Sequence, residues 1–144
     1  MLGRASSDLL ALLVGLTLMG CPTAPKPTPT GSLCPPGSTL TYDNFGRPFM
    51  ENYCTRCHSS ELRRADRHGA PLYHDFDTLI DILAVAEHAD EYSAAGPDAV
   101  NELMPPDGDM PTRAERFQLG EWLACEVEKL NAPTNTSVEA DAGS

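Results

Sequence analysis

Residues 54–58 read Cys-Thr-Arg-Cys-His, and no other stretch constrains the chain as strongly. C-x-x-C-H is the attachment motif of a c-type haem, because two thiols three positions apart can each add to one vinyl group of the same porphyrin. The following histidine then lies beside the iron and can bind it axially. C-x-x-C alone also occurs in zinc sites and redox thiols. A zinc site on Cys54, Cys57 and His58 would need a fourth ligand, and the sequence contains no second C-x-x-C and no H-x-x-x-H.

Residues 1–20 have the composition of an export signal. Arg4 supplies positive charge, and residues 9–19 form an apolar run. At ~1.5 Å rise per residue this run is too short for a bilayer core of ~30 Å. The segment ends Leu-Met-Gly-Cys, which resembles the lipobox of bacterial lipoproteins. The resemblance implies that Cys21 carries the lipid that anchors the protein, whereas an ordinary cleaved signal would release it.

A stretch rich in proline and threonine follows the signal, at residues 22–33, and favours an extended spacer. The C-terminal residues are polar and acidic without periodicity, as in a disordered tail. We therefore expect a lipoprotein signal peptide at 1–20, a lipid-anchored cysteine and linker at 21–39, one domain at 40–130 and an acidic tail at 131–144. Export places the domain on the periplasmic side of a bacterial membrane. Pro22 is not the aspartate of retained lipoproteins, which favours the outer membrane.

The five cysteines divide by role. Cys21 belongs to the export signal, and Cys54 and Cys57 belong to the haem motif. Cys34 and Cys125 remain, and in an oxidising exported compartment such a pair is expected to form a disulfide, stabilising the fold by about 2–4 kcal/mol. The alternative is two separate buried thiols.

Apolar periodicity predicts an all-α domain with helices at 44–57, 75–94 and 112–129. Pro48 fits only a first helical turn, so the first helix can begin near Arg47. Asp75 or Asp77 can cap the second helix, and Thr112-Arg113-Ala114-Glu115 predicts a capping box for the last.

The net charge of −11 argues against a nucleic-acid-binding surface. The one basic cluster comprises Arg63, Arg64 and Arg67. These arginines either face solvent or contact haem propionates or an acidic partner.

Several motifs follow one another within residues 40–130: Cys-His-Ser-Ser at 57–60, Arg-His-Gly-Ala-Pro at 67–71, Met-Pro-Pro at 104–106 and Pro-Thr-Arg-Ala-Glu-Arg at 111–116. Together they resemble the class I cytochromes c, and in detail the small bacterial ones. The resemblance implies a cytochrome c-like fold, with three main helices and long loops around one covalently bound haem c. It also implies electron transfer, with redox proteins as partners. We expect a monomer.

The resemblance further implies His58 and a methionine as the two axial ligands. A thioether favours Fe(II), so His/Met ligation raises the reduction potential relative to His/His. Met104 is the first candidate because two prolines stiffen the loop behind it. Met110, also followed by proline, is the second, and Met50 is expected in the core. Bis-histidine ligation by His68, His74 or His88 is the alternative.

Two packing features are also implied by the resemblance. The carbonyl of Pro71 is expected to accept the Nδ1–H of His58, which would fix the tautomer of the axial ligand. The first and last helices are expected to cross closely, with Gly46 and Phe49 against Trp122 and Leu123.

These expectations favour a membrane-tethered mono-haem electron carrier that is not an enzyme. A peroxidase-like enzyme would need an open axial position and a distal acid-base pair, and no such pair can be identified in the sequence. A haem-based ligand sensor would need Met104 to leave the iron. A protein whose motif binds zinc is the remaining alternative.

Overall fold

The computed structural model describes residues 29–133, and within this range the protein is all-α. A π-helical turn, Tyr42–Gly46, continues into α1, Arg47–Tyr53; a 3-10 turn, Arg64–Arg67, is followed by α2, Leu79–Ala84, α3, Ala86–Ser93, and α4, Arg113–Asn131. The strand-like pairing in this range is one isolated antiparallel bridge between Ala95 and Val100. Among the described helices, none has both the length and the apolar character needed to cross a membrane.

The first helix begins where Pro48 indicates. α1 starts at Arg47 with Pro48 in its first turn, where the missing N–H breaks no helical hydrogen bond. It ends at Tyr53 rather than at residue 57, because the backbone leaves the helix at Cys54, with φ −115°. The motif cysteines therefore lie in a turn behind the helix, in which the N–H of His58 donates to the carbonyl of Cys54.

The predicted second helix is two helices. α2 begins at Leu79, and the chain breaks at Val85, with φ −130° and ψ 26°, before α3. Thr78 caps α2 by accepting from the N–H of Asp81. Asp75 and Asp77 were therefore wrong as caps, since Asp75 pairs with Arg67 and Asp77 accepts from the N–H of Ser60.

The last helix confirms its capping box. The hydroxyl of Thr112 accepts from the N–H of Glu115, and the carboxylate of Glu115 accepts from the N–H of Thr112 at 2.7 Å. Behind this start, α4 carries much of the core. Its fully buried Trp122 packs against the π-helical turn, and a Cβ on Gly46 would overlap the indole ring. The expected close crossing at Gly46 is therefore present.

An N-terminal segment lies along the domain. Thr30 is fully buried, and its N–H donates to the carboxylate of Asp90 in α3 at 2.8 Å. Cys34 forms a disulfide with Cys125 in α4, with Cα atoms 4.6 Å apart, as the cysteine count predicted. Among the described residues, the packed chain thus includes Thr30, which lies within the expected linker. The signal peptide, Cys21 and the tail from residue 134 lie outside the described residues.

Candidate functional site

The residues of the C-x-x-C-H motif line a cavity of about 280 Å³. α1 delivers Cys54 to its wall, and the turn that follows brings Cys57 and His58 to the same space. Both thiols are free, unlike those of Cys34 and Cys125. Burial raises the pKa of Cys54 to about 12, against the smaller opposing effects of Arg116 and Arg56, so this thiol is protonated at neutral pH.

The cavity wall comes from three further parts of the chain: the loop after the motif, α3 and the Met-Pro-Pro loop. Its apolar surface is formed mainly by alanine, proline and aromatic side chains. Arg56 of the motif also lines the cavity, and the lining residues outside the motif are Tyr53, His68, Gly69, Ala70, Pro71, His74, Phe76, His88, Ala89, Tyr92, Ser93, Met104, Pro105 and Pro106.

His58 is held in a defined orientation. Its Nδ1 lies 2.8 Å from the carbonyl oxygen of His74, and its ring stacks on Phe76 with centroids 4.8 Å apart. Burial lowers the pKa of His58, although the hydrogen bond to His74 opposes this shift. A neutral imidazole that donates through Nδ1 leaves Nε2 as its free acceptor, which suits an axial ligand.

The expected acceptor of this hydrogen bond, Pro71, was wrong. The carbonyl of Pro71 instead accepts from Nη2 of Arg67 at 2.6 Å. Arg67 is 3% exposed and also donates to the carbonyls of Ser59 and Ala70. The path of the loop around this guanidinium turns the carbonyl of Pro71 away from His58 and leaves the role to His74.

Arg67 forms a partly buried ion pair with Asp75, with an N–O distance of 2.7 Å. It is therefore a structural member of the basic cluster, whereas Arg63 and Arg64 are exposed. Sequence reasoning missed this role, although Arg67 and Asp75 flank the Gly-Ala-Pro segment that they hold together.

Met104 lies in the wall of the cavity, and Met110 is not among the lining residues. The N–H of Met104 donates to the carbonyl of Tyr92, and the carbonyl of Met104 accepts from Arg116. Met110 is 47% exposed, while Met50 is 1% exposed and belongs to the core as expected. The structure therefore brings Met104, and not Met110, to the motif.

All three remaining histidines also line the cavity. Nε2 of His74 lies 2.9 Å from Nδ1 of His88, and the two rings are nearly parallel. His68 has φ +49°, in the left-handed region that follows the 3-10 turn. Sequence reasoning considered these histidines only as possible iron ligands. It missed the pairing of His74 with His88, which depends on the approach of α3 to the loop.

The side chains fit a covalent haem. Two free thiols, an imidazole oriented through Nδ1 and a methionine thioether share one largely apolar cavity, and this donor set is that of a His/Met c-type haem. Nowhere in residues 29–133, including this cavity, are three His, Cys, Asp or Glu side chains grouped so that they could hold a metal ion.

Comparisons with protein-family models, with curated proteins and with solved structures found no match for this chain.

Proposed function

We propose that the protein is a mono-haem c-type cytochrome that carries electrons and performs no catalysis of its own. The observation that carries this proposal is the shared cavity: Cys54, Cys57 and His58 meet Met104 there, although Met104 comes from a distant loop. Because the four side chains have distinct roles in haem attachment and ligation, their meeting supports the proposal more strongly than the motif alone. The cytochrome c-like fold is part of the same proposal.

Each side chain has a role in this function. Cys54 and Cys57 would hold the haem by thioether bonds, and His58 would bind its iron through Nε2 while the carbonyl of His74 keeps the ring in place. Met104 would supply the second axial ligand. The bound haem would supply one-electron exchange between Fe(III) and Fe(II), and a thioether ligand favours Fe(II). With both axial positions filled, no position is left for a substrate.

We further propose that the carrier is tethered. The lipobox-like end of residues 1–21 supports a lipid on Cys21 and a position on the periplasmic side of a bacterial membrane, with the outer membrane favoured. Residues 22–29 would then join the lipid to the point where Thr30 enters the domain. Redox proteins beside the membrane are the expected partners.

Absorption spectroscopy after expression with a c-type haem maturation system tests the function. We expect haem that stays with the protein through acid-acetone extraction, sharp reduced bands and the weak far-red band of a methionine–iron bond. His58→Ala should abolish the normal holoprotein. Wild-type protein without covalent haem would overturn the proposal, and a zinc assay would then test the alternative.

A pair of methionine variants tests the ligand. Met104→Ala should keep covalent haem, lose the far-red band, lower the reduction potential and let imidazole bind the iron. Met110→Ala is the matched control, because its side chain has the same chemistry and the same following proline but lies outside the cavity. Loss of the band in the Met110 variant alone would assign the ligand to Met110, and absence of the band from the wild-type protein would favour a histidine.

A further inference from the structure

Arg116 in α4 is a buried arginine beside the candidate site. It is 2% exposed, and its Nη1 lies within hydrogen-bond distance of three carbonyl oxygens, those of Ser93 at 2.7 Å and of Asn101 and Met104 at 2.9 Å. Nη1 carries two hydrogens, so one of them is shared between two acceptors. One guanidinium nitrogen thus joins the end of α3 to the loop that carries Met104.

The backbone around Arg116 reinforces this junction. The N–H of Met104 donates to the carbonyl of Tyr92, and the N–H of Asn101 donates to the carbonyl of Ala94. The carbonyl of Arg116 itself accepts from the N–H of Ala95. Both backbone polar groups of Met104 are therefore bonded, the N–H to α3 and the carbonyl to α4.

Within residues 29–133, the charge of Arg116 has no ionic partner. No carboxylate lies within 4.0 Å of it among the ion pairs of residues 29–133, in contrast to Arg67 with Asp75. Burial lowers the pKa of Arg116, although the more distant Glu102 opposes this shift. A buried cation that binds only carbonyls is expensive to desolvate, and its hydrogen bonds are of the strong, charge-assisted kind.

We propose that Arg116 is the positioning residue for Met104: its hydrogen bond to the carbonyl of Met104, anchored on Ser93 and Asn101, holds the thioether toward the iron. The inference rests on the proposed function. A loop with a Met-Pro-Pro sequence has few backbone donors of its own, and its carbonyls need donors from elsewhere. Arg116 supplies such a donor to the carbonyl of Met104, whose side chain is the proposed axial ligand. Its buried positive charge also favours the less positive, reduced iron.

The test compares Arg116→Gln with Arg113→Gln in haem-loaded protein, well below the unfolding temperature. Arg113 lies on the same helix and is exposed, so the control removes the same charge without touching the three carbonyls. For Arg116→Gln we expect a weaker far-red methionine band, tighter binding of imidazole and a lower reduction potential. Arg113→Gln should match the wild type in the band and in imidazole binding.

The possible outcomes separate positioning from plain stabilisation. An Arg116→Gln protein that melts earlier but keeps the wild-type band and imidazole affinity would overturn the inference. If this variant does not fold, Arg116→Lys decides, because it keeps the charge but replaces the planar fork with a compact ammonium. A wild-type band and imidazole affinity in the lysine variant would then overturn the inference, and a weakened band with tighter imidazole binding would support it.

Failure of this inference differs from failure of the proposed function. Wild-type protein that lacks covalent haem, or has haem without the methionine band, overturns the function or its ligand and the inference with it. Wild-type protein with the band, together with an arginine variant that keeps it, overturns the inference alone.

Discussion

Two buried arginines organise the two loops that border the cavity. Arg67 donates hydrogen bonds to carbonyls of the loop after the motif, and Arg116 donates to carbonyls at the end of α3 and in the Met-Pro-Pro loop. Irregular backbone that enters a protein interior has lost the ladder of donors that a helix provides, so its carbonyls need side-chain donors. A guanidinium suits this role because its five N–H groups point in fixed directions.

Arg67→Gln should destabilise the protein by about 3 kcal/mol, because it leaves the half-buried carboxylate of Asp75 without its partner and removes buried donors to the loop carbonyls. Urea unfolding at neutral pH, on samples of equal haem content, measures the change. Arg64→Gln is the matched control, since Arg64 is exposed and lies in the same 3-10 turn. Equal stability of the two variants would show that the ion pair contributes nothing beyond its desolvation cost.

Residue roles were predictable where chemistry alone decides them. The spacing of Cys54, Cys57 and His58, and the prolines behind Met104, identified side chains that the structure places in one cavity. The acceptor for His58 was not predictable, because it depends on how Arg67 folds the loop and not on any property of Pro71. The same is true of Arg116, whose sequence context predicts only an ordinary helical arginine.

The local sequence predicts where a helix begins better than it predicts whether a helix continues without a break. The capping box at Thr112 and the proline start of α1 were readable because each involves neighbouring residues. The break at Val85 was not, because the apolar pattern of residues 79–93 continues through it. Its cause is tertiary: α2 and α3 each pack separately against α4.

Thr112→Ala should cost about 1 kcal/mol at neutral pH through loss of the helix cap. The hydrogen bonds from Thr112 hold the pKa of Glu115 below its usual range. Glu115 therefore contributes stability above its unfolded pKa of 4.5, and this contribution is lost as the pH falls through the lower folded pKa. The deficit of the variant should shrink in acid.

Urea unfolding at pH 7 and at pH 3 measures this difference. Thr39→Ala is the control, because Thr39 is exposed and lies outside the helices. A stability deficit that stays constant with pH would show that the contribution of the Thr112 cap does not depend on the charge of Glu115.

At the scale of the whole molecule, the all-α class and the disulfide followed from periodicity and cysteine count. The extent of the domain did not, because a linker composition says nothing of the contacts that Thr30 makes with Asp90. Through these contacts and the bond from Cys34 to Cys125, residues 30–34 lie along α3 and α4. A domain tethered as proposed would therefore approach its partners with residues 30–34 fixed to those helices.

The acidic composition predicts how the proposed carrier would meet its partners. With a net charge of −11, the reduced protein should react with the anion ferricyanide faster as salt is added, because salt screens their repulsion. Reduction of the oxidised protein by the cation hexaammineruthenium(II) should slow over the same series. Stopped-flow rates from about 0.01 M to 0.1 M salt, where the Debye length falls from about 30 Å to about 10 Å, measure both.

The opposite signs are the internal control, since a change in the protein itself would not reverse between reagents. Reversed signs would mean that Arg56, Arg63 and Arg64 dominate the field at the cavity, which would favour an acidic partner.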